Sequence, residues 1–264
     1  MKLVKYLRIY RVFINNAFSY EAQYRTDTWI KLLTNFLWIG LLFVTVEILY
    51  TYTPSIAGWT KPQLYLLTVF WILVDELYRG LFGSSLLQLP DLVTDGTLDN
   101  ILVKPVSSLF MVSCKNILTR ALYRFVVQLA ILAWLAYHFD FAVSLASIPV
   151  AIVLVALGLT INFSFALAAN TLSFWFLRIE NINEALEAMH DTGRYPIDIF
   201  PRVGKILALT FIPVAFGAYL PAAELTGHLP WYVLGYATLM AALFLAAAIS
   251  FWNFALRRYS SASS

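Results

Sequence analysis

Residues 29–52 read WIKLLTNFLWIGLLFVTVEILYTY, an apolar stretch whose charged residues are Lys31 and Glu47. A helix needs about 20 apolar residues to cross the roughly 30 Å hydrocarbon core of a bilayer. This stretch is long enough, so it predicts a transmembrane helix. Five further runs follow along the chain: Gln63–Leu87, Arg120–Phe139, Leu145–Leu177, Arg202–Leu220 and Trp231–Leu256. The sequence therefore predicts an all-α integral membrane protein, with six transmembrane helices in residues 29–256 of a single domain, 1–264.

The composition agrees with this fold class. The chain is 61% hydrophobic and 12% charged, whereas soluble domains are about 45–50% apolar and about 25% charged. A net charge of +3 does not indicate a nucleic-acid partner, because orientation across an anionic leaflet explains most of it.

Lys and Arg residues are distributed unevenly between the two sides of the predicted spans. Lys61 alone falls on one side, and the clusters fall on the other: Lys2–Lys31, Lys104–Arg124, Arg178–Lys205 and Arg257–Arg258. Cytoplasmic loops are the ones enriched in basic residues. We therefore expect both termini to be cytoplasmic.

Residues 1–28 have the pattern of an amphipathic helix. Basic residues recur every three positions from Lys2 to Arg11, and the opposite side carries Leu3, Leu7, Tyr10, Ile14 and Ala17. Such a helix lies in the headgroup layer with its basic side toward anionic lipid. The alternative is a frayed cytoplasmic tail.

The predicted loop 88–106 has the signals of two short helices. Pro90 suits the first turn of a helix and Gly96 suits its left-handed end. Thr97 could cap a second helix through Ile101 and Leu102. The two helices would form a rigid cytoplasmic knob.

Three motifs in this chain resemble those of the ABC-2-type permeases, the membrane subunits of certain ATP-binding-cassette transporters. They are Gly96-Thr-Leu-Asp99-x-x-Leu102-x-Lys104-Pro105, Gly193-Arg194-Tyr195-Pro196 through Pro201, and Ile212-Pro213-Val-Ala-Phe followed by Tyr219-Leu-Pro221-Ala. The resemblance covers nearly the whole chain, including the six predicted spans and the amphipathic N-terminal helix.

The resemblance implies a multi-pass exporter subunit in the bacterial cytoplasmic (inner) membrane. It implies a second permease, identical or related, and cytoplasmic ATPase subunits that bind ATP and Mg, with no cofactor held by this chain. ATPase coupling would fall on the residues Asp91, Gly96, Leu98, Asp99, Leu102, Lys104 and Pro105, and Arg194, Tyr195 and Pro196 would lie in a second cytoplasmic loop.

ATP hydrolysis is expected to come from another polypeptide. No segment fits the phosphate-binding pattern G-x-x-x-x-G-K-[ST], and Gly204-Lys205 lacks its other residues. His138, His190 and His228 are scattered, without a metalloprotease or serine-hydrolase motif. The chain is therefore predicted to be no enzyme, with neither catalytic residues nor a metal site. The alternative to an ATP-driven permease is an ATP-independent carrier or channel.

Charged residues lie within the second predicted span. Asp75 and Glu76 are four and three residues before Arg79, so either acid could pair with it. The carboxylate left over could face a transport path and attract a cationic substrate. Alternatively, the three side chains form a buried network that ties the span to a neighbour.

An acidic stripe follows the fourth span. Glu180, Glu184, Glu187 and Asp191 are spaced four, three and four apart, which places them on one side of a helix. The stripe is either a solvated helix surface or a contact with a basic surface of the ATPase.

Overall fold

The computed structural model is 81% helical over the residues that it describes. It describes residues 2–23, 25–139, 141, 144–176, 184, 187–188, 190–210, 216–227 and 229–259. No strand forms in that part of the chain.

The helices have the following bounds: α1 (Lys2–Gln23), α2 (Arg25–Tyr52), α3 (Lys61–Tyr78), α4 (Leu89–Thr94), α5 (Asp99–Leu102), α6 (Ser108–Cys114), α7 (Arg120–His138), α8 (Ser147–Thr171), α9 (Arg202–Thr210), α10 (Tyr219–Leu225) and α11 (Tyr232–Arg258). A π-helical turn, Arg79–Gly83, and the short helix Ser84–Leu86 continue α3. Single 3-10 turns form at Leu172–Phe174, Thr192–Arg194 and Ile197–Ile199.

Four helical segments are long and apolar enough to cross a membrane: Thr26–Tyr52, Arg120–His138, Ser147–Phe174 and Tyr232–Arg258. They coincide with the first, third, fourth and sixth predicted spans to within a few residues. The second predicted span is helical over residues 61–86, but it carries the charged residues described above. The described residues are all-α, as predicted, and their four long apolar helices are compatible with a membrane protein. The count of six spans stays a prediction.

The fifth predicted span, Arg202–Leu220, differs from the structure. Its described residues form α9, a turn at residues 216–218 and the start of α10, and α10 continues past the predicted end to Leu225. Residues 211–215, which include Pro213 of the third motif, lie outside the described residues, as does His228.

The N-terminal helix is shorter than predicted, because α1 ends at Gln23 and α2 begins at Arg25. Its sides also differ in part from the prediction. Tyr10 and Ile14 are partly buried, but Leu7 is exposed. Tyr6 packs edge-on against Phe110 of α6, with ring centroids 5.0 Å apart. Because α6 covers one side of α1, only part of its apolar surface is free to meet lipid.

Helix α3 is the central helix of the fold. Its residues from Leu64 to Val74 are buried, and α2, α7, α8 and α10 pack around it. The most extensive helix–helix contact among the described residues joins α8 and α11. Gly158 of α8 permits one close approach, since a Cβ there would lie 2.6 Å from the Gly217 Cα.

Candidate functional sites in a two-helix knob and a charge cluster

The segment 89–106, called the knob below, contains the first motif. Pro90 lies in the first turn of α4, and Gly96 has φ +68° after that helix ends. Both positions were predicted from the sequence. The Leu98 N–H donates to the Leu92 carbonyl over 2.9 Å, which folds α5 back toward α4.

The predicted capping role of Thr97 is wrong. Helix α5 begins at Asp99, with Leu98 as its N-cap residue and without a side-chain cap. Leu98 has helical dihedrals and a completely buried side chain. Burial of this leucine, rather than a hydroxyl cap, fixes where the second helix begins.

The interior of the knob is apolar. Leu89, Val93, Leu98 and Ile101 are buried together, and they join a core that includes Met111 of α6. Side chains packed this closely move as one body. Leu98, a predicted coupling residue, therefore holds the knob together and is not available to a partner.

The remaining predicted coupling residues lie nearer the surface. Asp91, Leu102, Lys104 and Pro105 are exposed, whereas Gly96 and Asp99 are partly buried. Val103 is 82% exposed and was missed, because it occupies an unspecified position of the motif. An exposed aliphatic residue between Leu102 and Lys104 gives the knob a small apolar tip beside a charge.

Helix α1 is attached to the knob. The Lys5 ammonium donates to the Pro105 carbonyl over 2.6 Å. The Ser107 N–H donates to the Tyr6 hydroxyl over 3.1 Å. A displacement of the knob would therefore pull on α1.

The charged residues of α3 are all paired. Arg79 Nε donates to both carboxylate oxygens of Asp75, over 2.9 and 3.0 Å. Glu76 pairs instead with Arg124 of α7, over 2.5 Å. The spare carboxylate expected from the sequence is thus absent, since Arg124 supplies the second cation. Glu76 ties α3 to α7, as the network hypothesis proposed.

The cluster around Asp75 extends to the segment after α8. Arg79 Nη1 lies 3.3 Å from Glu187 Oε1, and His190 Nε2 lies 3.3 Å from Asp75 Oδ1. These groups border a cavity of about 90 Å³ that also meets Asn170. Water fits this volume, since one molecule needs about 10–15 Å³ of such space.

The second motif lies beside α3, which differs from the predicted cytoplasmic loop. The Arg194 guanidinium lies 5.8 Å from the Trp71 ring centroid. Pro196 is buried and Tyr195 is exposed.

A hydrogen bond also links this segment to a residue just before α3. The Trp59 indole N–H donates to Asp198 Oδ2 over 3.0 Å. That bond joins a residue of the predicted inner loop to one of the predicted outer loop. Polar partners on and before α3 draw this segment alongside the helix.

The acidic stripe is partly used inside the chain. Glu187 pairs with Arg79, and Asp191 lies 3.6 Å from Arg194. Glu184 is exposed, and Glu180 lies outside the described residues. The two interpretations of the stripe therefore both stay hypotheses. Among the described residues, no group of three or more His, Cys, Asp or Glu side chains could hold a metal ion.

A family model described as ABC-2 family transporter protein matches residues 36–263. The matched region includes the knob, the charge cluster and the second motif. No curated protein and no solved structure matches the chain.

Proposed function

This chain belongs to the ABC-2 family of transporter proteins, and on that premise we propose that it is the permease subunit of an ATP-binding-cassette exporter. It forms the translocation path with a second permease, identical or related. Separate cytoplasmic ATPase subunits, which bind ATP and Mg, drive it. The observation that carries this proposal is the knob, with its buried interior and its exposed tip at Leu102–Pro105.

The surface of the knob suits a protein partner. Interface energy concentrates in a few side chains that enter pockets of the partner, surrounded by polar contacts. Val103 and Leu102 offer such apolar anchors, and Asp91 and Lys104 offer charges at the edge. A groove on each ATPase subunit would receive the tip.

The knob is well placed to transmit a movement to the helical core. The helix of residues 61–86 leads into it almost without a break. The Asn116 N–H donates to the Ser85 hydroxyl over 2.8 Å, which ties the end of that helix, just before the knob, to the linker before α7. A Cβ at Gly80 would lie 2.3 Å from the Ala121 Cβ, so α3 and α7 touch directly at this level. Closure of the ATPase subunits would therefore move both helices and the charge cluster between them.

We further propose a multi-pass topology with both termini cytoplasmic, in the bacterial inner membrane. The count of six spans stays a prediction from the sequence, because the Trp59–Asp198 hydrogen bond joins the expected inner loop to the expected outer loop. The position of Lys61 as the sole Lys or Arg between the first two spans supports this orientation. Single cysteines at Ser55 and Thr97, in a Cys114→Ser background, test it with a membrane-impermeant maleimide. Labelling of Ser55→Cys from outside and of Thr97→Cys only after permeabilisation is expected. The reverse pattern would refute the orientation.

Affinity purification of the tagged chain, followed by mass spectrometry and an ATPase assay, tests the transporter assignment. A stoichiometric nucleotide-binding subunit is expected with the wild-type chain, and Val103→Asp should release it. Ser55→Asp, an equal change at an exposed site away from the knob, should retain it. Absence of an ATPase partner under gentle extraction would favour the alternative, an ATP-independent carrier or channel.

A further inference from the structure

A cavity of about 530 Å³ lies where α1, the start of α2 and the linker before α7 meet. Its polar walls are formed by Asn16 and Glu21 of α1, Asp27 and Lys31 of α2, and Lys115 and Arg120 around the linker. Cavities of about 300–1,000 Å³ are typical of small-molecule sites. This one is separate from the charge cluster and from the tip of the knob.

The charges in the cavity favour an anion. Three cations and two carboxylates border it, which leaves one net positive charge. Lys31 already forms an ion pair with Asp27, with 2.5 Å between Nζ and Oδ2. Within the described part of the chain, the side chains of Lys115 and Arg120 have neither an ion pair nor a hydrogen bond. Two unpaired cations beside one cavity suit a single phosphodiester, which accepts charge-assisted hydrogen bonds.

Buried polar atoms in the walls also lack partners. Thr119 is completely buried, and its hydroxyl has no hydrogen-bond partner. Glu21 accepts a hydrogen bond from the Arg120 N–H through Oε1, over 2.8 Å, but its Oε2 is buried and unpaired. Leaving such groups without a hydrogen bond is unfavourable. Both atoms are closed off from the cavity in this structure, so a ligand that carries hydroxyl groups would reach them only after the side chains of the wall rotate.

The position of the cavity identifies the source of the phosphate. Exposed apolar residues of α2 begin with Trp29 and Ile30, directly after the lining residue Thr28. Tryptophan marks the boundary between headgroups and hydrocarbon. On α1, Phe18 is also exposed, next to the lining residue Ala17. A lipid with its headgroup in the cavity would find apolar surface for its acyl chains immediately beside it.

We propose that this cavity binds the headgroup of an anionic phospholipid, with its phosphodiester between Lys115 and Arg120 and its hydroxyl groups toward Glu21 and Thr119. A glycerol headgroup has this chemistry. Because α1 contacts the knob, a bound lipid would also fix the position of α1. The site depends on the membrane setting of the chain and not on the ATPase partner.

Native mass spectrometry of the purified chain with added phosphatidylglycerol tests the site. One tightly held lipid per chain is expected, with phosphatidylethanolamine bound more weakly. Lys115→Gln and Arg120→Gln should each weaken phosphatidylglycerol binding about tenfold, since each removes a charge-assisted hydrogen bond. Lys115 is exposed, so its substitution leaves folding intact, which gel filtration verifies.

The matched control is Arg8→Gln with Arg11→Gln, which removes two charges from the exposed side of α1 outside the cavity. This variant should keep the tightly held lipid. An equal loss in the control and in Lys115→Gln would show attraction to surface charge only and overturn the proposal. Equal binding of soluble glycerol 3-phosphate would overturn a lipid as the source of the phosphate.

Discussion

Glu76 of α3 and Arg124 of α7 form an ion pair across the helical core, with 2.5 Å between Oε1 and Nη1. Their side chains are 11% and 20% exposed. Arg124 also donates to the Lys31 carbonyl of α2 over 3.3 Å, so three helices meet at this guanidinium. In the exporter that we propose, any rearrangement of α3 against α7 has to keep or exchange this pair.

Removal of the cation should destabilise the fold strongly. Arg124→Met leaves the Glu76 carboxylate without its partner, and breaking a buried ion pair from one side costs about 3–5 kcal/mol. The free energy of unfolding in mixed micelles measures the effect. The double variant with Glu76→Gln should recover much of the loss, because no unpaired charge remains.

Arg257→Met is the control for this substitution. Arg257 is exposed in the last turn of α11, so its removal should change the unfolding free energy by less than about 0.5 kcal/mol. Equal stability of Arg124→Met and Arg257→Met would contradict the pairing.

The sequence was sufficient for features that depend on local properties of the chain. Apolar length alone located the four helices that are long and apolar enough to cross a membrane, and the backbone preferences of Pro90 and Gly96 located the two ends of α4. These properties are set by a residue and its neighbours. Distant contacts do not alter them.

Features that depend on distant contacts were not predictable in the same way. Arg124 lies 48 residues from Glu76, and no periodicity shows which side of α7 meets α3. Leu98 replaced Thr97 as the residue that begins α5, because burial against α6 outweighs a cap on the surface. Asp198 reaches Trp59 across 139 residues, which moves the second motif from its expected loop to the side of α3.

Two leucines of the knob should respond differently to truncation. Leu98 is completely buried, whereas Leu102 is 36% exposed. Leu98→Ala should cost about 2–5 kcal/mol of unfolding free energy through the cavity it leaves. Leu102→Ala should leave stability nearly unchanged and weaken the association with the ATPase. A normal ATPase association in Leu102→Ala would remove this residue from the proposed contact.

The contact between Gly158 and Gly217 should make alanine destabilising at a helical site. Alanine normally stabilises a helix interior by about 1 kcal/mol relative to glycine. At Gly158, however, the added methyl group would meet backbone atoms of Gly217 and Phe216 at 2.6 to 2.9 Å. Overpacking of this kind costs about 1–3 kcal/mol, so Gly158→Ala should lower the unfolding free energy.

Gly40→Ala provides the comparison within α2. A Cβ there meets no atom within 4 Å, so this variant should be as stable as the wild type or slightly more stable. The opposite signs of the two changes are the expected result. Equal effects would mean that α8 and the Gly217 segment do not approach as closely as described.

The alkylation rate of Cys114, the single cysteine, measures how closely α1 packs against α6. Cys114 ends α6 and is buried, and burial raises the pKa of its thiol to about 11. Because the thiolate is the reactive form, a pKa two units above the ordinary value of 9.0 lowers the reactive fraction at pH 7.5 about 100-fold. N-ethylmaleimide should therefore react slowly, and its rate should rise about tenfold per pH unit up to the pKa.

Release of α1 should expose this thiol. Tyr6 and Phe13 pack against Phe110 of α6, so Tyr6→Ala combined with Phe13→Ala should accelerate alkylation of Cys114. The reference is the alkylation rate of Val103→Cys in a Cys114→Ser background, because a thiol at the exposed position 103 is accessible to the reagent. A wild-type Cys114 that reacts as fast as this reference would show that α1 does not cover α6, and the link between α1 and the knob would be lost with it.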